Sequence, residues 1–134
     1  MEQFYFDTSI WIDIFDQRGE NGEYAAALVE KILANDWMIL YSDMVTIELK
    51  QIGLSDHELL RIFGIAKPDH LRRVHMANAH MTQSKKIAKP LRIPWGDALH
   101  AMLAREHGAQ LVSRDHDFEK LKHITTAKKP EDLL

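Results

Sequence analysis

The sequence predicts a single α/β domain, a parallel β-sheet with helices on both faces. Three observations carry this. Short apolar runs of strand length alternate with longer segments of helical period along all 134 residues. Those runs are apolar at nearly every position, as in strands buried on both faces, rather than alternating with polar residues as in a one-sided sheet. Finally, serine, glycine and proline stand where helices should begin and end.

The elements follow in order. Gln3–Phe6 is a short buried strand and Thr8–Phe15 a helix. Gln17 to Gly22, "QRGENG", is expected to be a loop, and Glu23–Asn35 a helix packing through Ala26, Ala27, Val29, Ile32 and Leu33. "WMILY", Trp37–Tyr41, is the second strand. Ser42 caps a helix that runs to about Ile52 and ends at Gly53, and Ser55 with Glu58 forms a capping box for the next helix. A short strand is expected around Arg72–Val74, then a helix from Ala77 to Lys89 stopped by Pro90. Pro94 suits the first turn of a helix from Trp95 to His107, which Gly108 ends. "AQLVS", Ala109–Ser113, is a strand, Asp115–Lys120 a turn of helix, His123–Ala127 a last strand and Pro130–Leu134 a final turn.

Composition excludes several classes. With no cysteine there is neither a disulfide nor a thiolate metal site, which agrees with a reducing, cytoplasmic setting. No stretch approaches the ~18 apolar residues of a membrane span, and no secretory signal is visible at the start. The net charge of −3 conceals an asymmetry. Residues 1–66 hold 12 acids against 4 Lys or Arg, and residues 67–134 hold 8 against 13. A basic half beside an acidic half suits a polyanion held next to a carboxylate site.

Four acids stand where solubility does not require them. Asp7 directly follows the first strand, and Asp115 follows "AQLVS" by one residue. Open parallel sheets bind ligands at that rim. Helix capping is the plainer reading of each taken alone. Glu48, inside "MVTIELKQI", has Met44, Val45 and Ile52 as helical neighbours and so falls on the apolar stripe, where an unpaired carboxylate is costly. Asp97 shares a small-residue face with Ala101 and Ala104, and the helix dipole also favours an acid in this first turn. Convergence of the four would raise their pKa values by mutual repulsion. A divalent cation would remove that conflict, and oxygen-only ligands suit Mg²⁺ or Mn²⁺.

These segments together resemble the PIN-domain nucleases, in particular the VapC-like toxins of toxin–antitoxin modules. The carrying residues are "FDTSIWID" with Asp7, "SDMVTIELK" with Glu48, "IPWGDALHAMLA" with Asp97, "LVSRDHDFEKL" with Asp115, and the ending "TTAKKPEDLL". The resemblance implies an acidic Mg²⁺/Mn²⁺ site that cleaves RNA, with Asp7, Glu48, Asp97 and Asp115 as the metal-binding and catalytic carboxylates and Asp117 as a fifth ligand. Ser9 corresponds to the hydroxyl that the family places beside its first acid. Arg114 and Trp95 are candidates for substrate contact, and Lys85, Lys86, Lys89 and Arg92 for tracking a phosphate backbone. A homodimer and a small antitoxin partner are also implied. Helices such as Ala25–Leu33 and Leu59–Ile65 are expected to offer apolar faces for pairing. The alternatives are an RNA-processing nuclease of the same fold and a catalytically silent binding module.

Rivals from other classes fare worse. A receiver domain needs paired acids after its first strand, and an aspartyl-nucleophile phosphatase needs an acid where Ser9 stands. Neither a HExxH motif nor an i,i+4 histidine pair suggests zinc, although His116 is flanked by Asp115 and Asp117.

Overall fold

The structure is a computed structural model that describes residues 2–17 and 19–134. Its four strands are β1 (Gln3–Phe6), β2 (Met38–Tyr41), β3 (Leu71–Arg73) and β4 (Gln110–Val112). All pair in parallel, in the order β3-β2-β1-β4. The helices are α1 (Thr8–Asp16), α2 (Gly19–Ala34), α3 (Asp43–Gln51), α4 (Asp56–Gly64), α5 (Asn78–Leu91) and α6 (Trp95–Glu106), with 3₁₀ turns at His116–Leu121 and Pro130–Leu133.

Strand pleating sends alternate residues to opposite faces, and here each face has its own core. Phe4, Phe6, Ile39 and Val112 pack under α1, α2 and α4, beside the fully buried Trp11, Leu28 and Ile32. Tyr5, Leu40 and Leu111 face the opposite core, with Leu99, Leu103 and Ala104 of α6 and Phe118 and Leu121 of the 3₁₀ turn. Each such Leu, Ile or Phe contributes roughly 1.5–3 kcal/mol by burial.

Strand order decides where a ligand fits. From β1 the chain steps outward to β2 and β3, then returns to place β4 on the other side of β1. The order reverses between β1 and β4. Beyond the carboxyl ends of those two strands lies the crevice that such sheets use for ligands. Asp7 and Ser113 stand at its two edges, tied by the bond from the Asp7 N–H to the Val112 carbonyl at 3.2 Å.

Several expected boundaries shift. The loop expected at Gln17 to Gly22 is instead mostly helix, because α2 begins at Gly19; Arg18 lies outside the described residues. Its glycines do different work. Gly19 takes a left-handed φ of +49°, whereas a Cβ on Gly22 would come within 2.9 Å of the Gln17 backbone. Gly22 is therefore a close-packing residue where α2 meets the end of α1, not a breaker.

Pro90 does not stop α5. It sits inside the last turn, and the helix ends one residue later with Arg92 in the left-handed region at φ 56°. The strand expected at His123–Ala127 is absent. Ile124 and Thr125 turn back to bond the Leu121 carbonyl, and only Lys128 reaches the sheet, as a single parallel bridge to Val112. The helices expected to offer dimerising apolar faces do so only in part. Ala25, Leu28, Val29 and Ile32, and Leu59, Ile62 and Phe63, are buried in this chain's own core. Among the described residues Leu60, Ile65, Ile47, Ile52 and Leu134 remain as exposed large apolar side chains.

Candidate acidic site at the strand switch

Asp7 both caps α1 and faces the crevice. It is buried, and three donors hold its carboxylate. Oδ1 accepts from the Ser9 hydroxyl at 2.6 Å and the Ile10 N–H at 3.3 Å, and Oδ2 accepts from the Ser113 hydroxyl at 2.6 Å. Ser113 Oγ in turn accepts the Asp115 N–H at 3.0 Å, so one hydroxyl couples the rims of β1 and β4. Burial pushes the Asp7 carboxyl up, and the Ser113, Ser9 and Ile10 hydrogen bonds and the His100 charge offset only part of that.

Asp97 lies in the first turn of α6, where the N-cap position is taken by Pro94. Among the described residues its side chain makes no capping bond, and the buried Oδ2 has no hydrogen-bond partner. Asp115 caps the 3₁₀ turn by accepting the Asp117 N–H at 2.9 Å. Oxygens from Asp97, Asp115 and Asp117 lie within 4.8 Å of one another, with Asp97 buried and Asp115 exposed. Burial first, and then the charge of Asp115, push the Asp97 carboxyl up to about 7, with Asp7 and Asp117 adding to the rise and His100 opposing it. Asp7 and Glu48 stand outside this group of three.

Glu48 is half-buried rather than sealed in the apolar stripe, since Ile52, one turn on, is exposed while Met44 and Val45 are buried. Its Oε1 accepts from the Thr8 hydroxyl at 2.7 Å and meets His100 Nε2 at 2.6 Å. Burial by itself would raise its pKa, but the His100 hydrogen bond and charge, with Thr8, hold it below the ordinary carboxylate value. Gly96 makes room for this carboxylate: a Cβ there would lie 3.2 Å from Glu48 Oε2.

Two residues in this arrangement have no part in the reading from the sequence. His100 is buried on α6, three residues after Asp97 and so on the same helical face. That spacing was the available signal. Ser113 is the terminal residue of "AQLVS" and carries no signal in the sequence.

The candidate substrate residues divide. Arg114 is already paired within the chain: Glu131 takes both terminal nitrogens at 2.9 and 2.7 Å and Asp13 lies 3.4 Å from Nε. Trp95 is half-buried, with the Lys85 ammonium 4.9 Å from its ring centroid. Lys86, Lys89 and Arg92 are exposed at the C-terminal end of α5, before the turn that leads to Trp95 and Asp97. His116 is exposed, whereas Trp11 and Trp37 pack in the core.

The donor set fits a divalent cation. It offers three clustered carboxylates, one with an orphaned buried oxygen, and no nitrogen or sulfur ligand among them.

The reversed strand order over an acid-lined crevice defines an open α/β protein of the switch-point type. Residues 4–124 match the PIN domain, and the chain belongs to that family. Among curated proteins no significant sequence match was found. Solved structures share the fold at low identity. VapBC2 from Rickettsia felis, bound to a DNA fragment from its promoter, aligns with TM-score 0.66 at 17% identity, covering 95% of this chain and 98% of that one. FitAcB from Neisseria gonorrhoeae gives 0.61 at 20%, with 96% and 98% covered. A toxin–antitoxin complex from Klebsiella pneumoniae gives 0.63 at 17%, with 94% and 96% covered.

Proposed function

We propose that this protein is a metal-dependent endoribonuclease, the toxin of a type II toxin–antitoxin pair. The carrying observation is the group formed by Asp97, Asp115 and Asp117 at the strand switch of a PIN-family chain, with Asp97 Oδ2 buried and unpartnered. In this reading Asp97, Asp115 and Asp117 hold Mg²⁺ or Mn²⁺, with Asp7 and Glu48 as the acids that complete the site. A bound divalent cation supplies Lewis-acid polarisation of a phosphodiester and of the attacking water.

The remaining work belongs to the chain. Asp7, held by three donors, keeps its carboxyl group fixed in position behind the crevice. Asp97 or Asp115 orients the attacking water and takes its proton. Lys86, Lys89 and Arg92 draw the RNA backbone toward the acids, and Trp95 offers its half-exposed ring to a base. Ser9 acts through Asp7 rather than on the substrate.

The test is cleavage of an RNA panel that includes tRNAs. Purified protein with Mg²⁺ or Mn²⁺ cuts, and EDTA, Asp7→Asn or Glu48→Gln abolishes cutting. Undiminished cleavage in EDTA, or by both variants, overturns the reading.

Two assembly proposals accompany it. The toxin–antitoxin neighbours support a small antitoxin partner, which would bind this chain and suppress cleavage. The exposed Ile47, Ile52, Leu60 and Ile65 support self-association, so light scattering at micromolar concentration should give about twice the 15.5 kDa chain mass, and a clean monomer removes that claim alone. Among the described residues no helix is long and apolar enough to cross a membrane.

A further inference from the structure

A chain of polar contacts runs beneath the acids through buried protein. Ser42 Oγ lies 2.8 Å from the Tyr5 hydroxyl, that hydroxyl 2.7 Å from His100 Nδ1, and His100 Nε2 2.6 Å from Glu48 Oε1. Its members come from four places: the end of β2, the middle of β1, α6 and α3. Ser42 and Tyr5 are fully buried and His100 is 1% exposed. Apolar residues would fill such a space without desolvating any polar group, so a fully satisfied polar chain calls for an explanation at one of its ends.

The inner end, Ser42, closes on core. The outer end is Glu48, half-exposed at the crevice. Bond directions follow from the chemistry. An ionised carboxylate only accepts, so His100 Nε2 carries the proton and donates to it. Burial keeps Tyr5 protonated, so its hydroxyl stays a hydrogen-bond partner for Nδ1 on the far side of the ring. Both imidazole nitrogens are then occupied, and the ring cannot rotate without breaking two bonds, one buried and one part-buried. With Thr8 also on Oε1, that oxygen has two donors, while Oε2 beside Gly96 makes no hydrogen bond among the described residues.

We propose that His100, locked by Tyr5 and Ser42, is a positioning residue that pins Glu48 through Oε1 and leaves Oε2 as the one oxygen presented to a divalent cation. This rests on the metal-site reading above. Its consequence is that metal affinity depends on a residue that touches neither metal nor RNA. Partners that orient a metal's ligands in this way commonly change affinity by about 10- to 100-fold when altered.

Two polar substitutions separate positioning from packing. The amide nitrogen of His100→Gln can reach the place of Nε2 and donate to Glu48. That of His100→Asn reaches only the place of Nδ1 and leaves Glu48 without its donor. Mn²⁺ binding to the full-length protein, measured by calorimetry without RNA, should weaken about tenfold for His100→Asn and stay within about 1.5-fold of wild type for His100→Gln. Tyr5→Phe, which frees the ring at its far side, should weaken it about threefold. If His100→Asn does not fold, Tyr5→Phe decides, and wild-type affinity there overturns the proposal.

Equal affinities for the Asn and Gln variants also overturn it, because packing loss does not distinguish them. Asp97→Asn is the control. If it weakens Mn²⁺ binding while the His100 variants do not, only the positioning role falls. If Asp97→Asn itself binds Mn²⁺ like wild type, the metal-site reading falls and this inference falls with it.

Discussion

Glu48 and Asp97 are both acids on helices that border the same crevice, yet their surroundings drive them apart. Glu48 has Thr8 and His100 as donors and is held below the ordinary carboxylate value. Asp97 has an oxygen with no partner among the described residues, and burial and acidic neighbours raise it to about 7. Asp97 is the more buried of the two, and the directions are opposite because the fold supplies donors to Glu48 and acidic neighbours to Asp97. On one side of the crevice a carboxylate oxygen already has two donors. On the other, Asp97 Oδ2 has none among the described residues, and the group that would complete it is a cation.

The largest expected effect is on catalysis. Asp97→Asn removes the least compensated acid and should lower RNA cleavage at least ~100-fold, within the range attributed to a general base. A gel assay with a labelled substrate reads this, and near wild-type turnover would place the chemistry elsewhere.

Next comes the response to metal. Binding to the folded state alone adds RT ln(1 + [L]/Kd), about 2.7 kcal/mol at a hundredfold excess over Kd. Wild type should gain more from Mn²⁺ than Asp97→Asn in melting experiments. Equal gains would make Asp97 a bystander to metal binding.

Smaller, and opposite in sign to the loss of activity, is the effect on the metal-free protein. Replacing Asp97 by Asn should stabilise it by about 1 kcal/mol at pH 8, the scale of one close like-charge pair in partly wet surroundings. The pH dependence has a defined direction. Asp97 binds its proton more tightly when folded, so its contribution is fully present below the unfolded value of 3.8 and is lost as pH rises through about 7. Asp7 is raised as well and acts in the same direction. Glu48 is lowered, so its contribution is present above the unfolded value of 4.5 and is lost as pH falls through its lower folded value. In EDTA, wild type should lose more melting temperature between pH 6 and pH 8 than Asp97→Asn loses. A steeper loss in the variant would contradict the crowding of the three acids.

The smallest effect lies outside the crevice. Glu131→Gln leaves Arg114 without its bidentate partner, and because Glu131 is partly exposed the cost should stay under about 1 kcal/mol in chemical denaturation. RNA binding that improves in this variant would show that a released Arg114 can reach phosphate after all.

Much of this was legible in the sequence, for identifiable reasons. The apolar runs placed β1, β2 and β4, because a strand buried on both faces must be apolar throughout. Asp7 and Asp115 were visible because acids directly after such strands are at the rim by geometry, and Asp97 because helical spacing puts it on the face of Ala101 and Ala104. Glycine and proline were less reliable. Gly22 and Pro90 serve in or beside helices because their effect depends on what packs against them and on how many turns remain.

What only the tertiary structure decided is which acids meet. Sequence spacing treated Asp7, Glu48, Asp97 and Asp115 alike, with Asp117 as an addition. The fold groups Asp97 with Asp115 and Asp117, gives Asp7 three donors, and binds Glu48 to His100. Arg114 was near the site by sequence yet is held by Glu131, 17 residues on. His100 lies 52 residues from Glu48 and 95 from Tyr5, distances over which periodicity carries no information. Local pattern tells which face a side chain occupies; its partner across the crevice is set by how the strand order reverses.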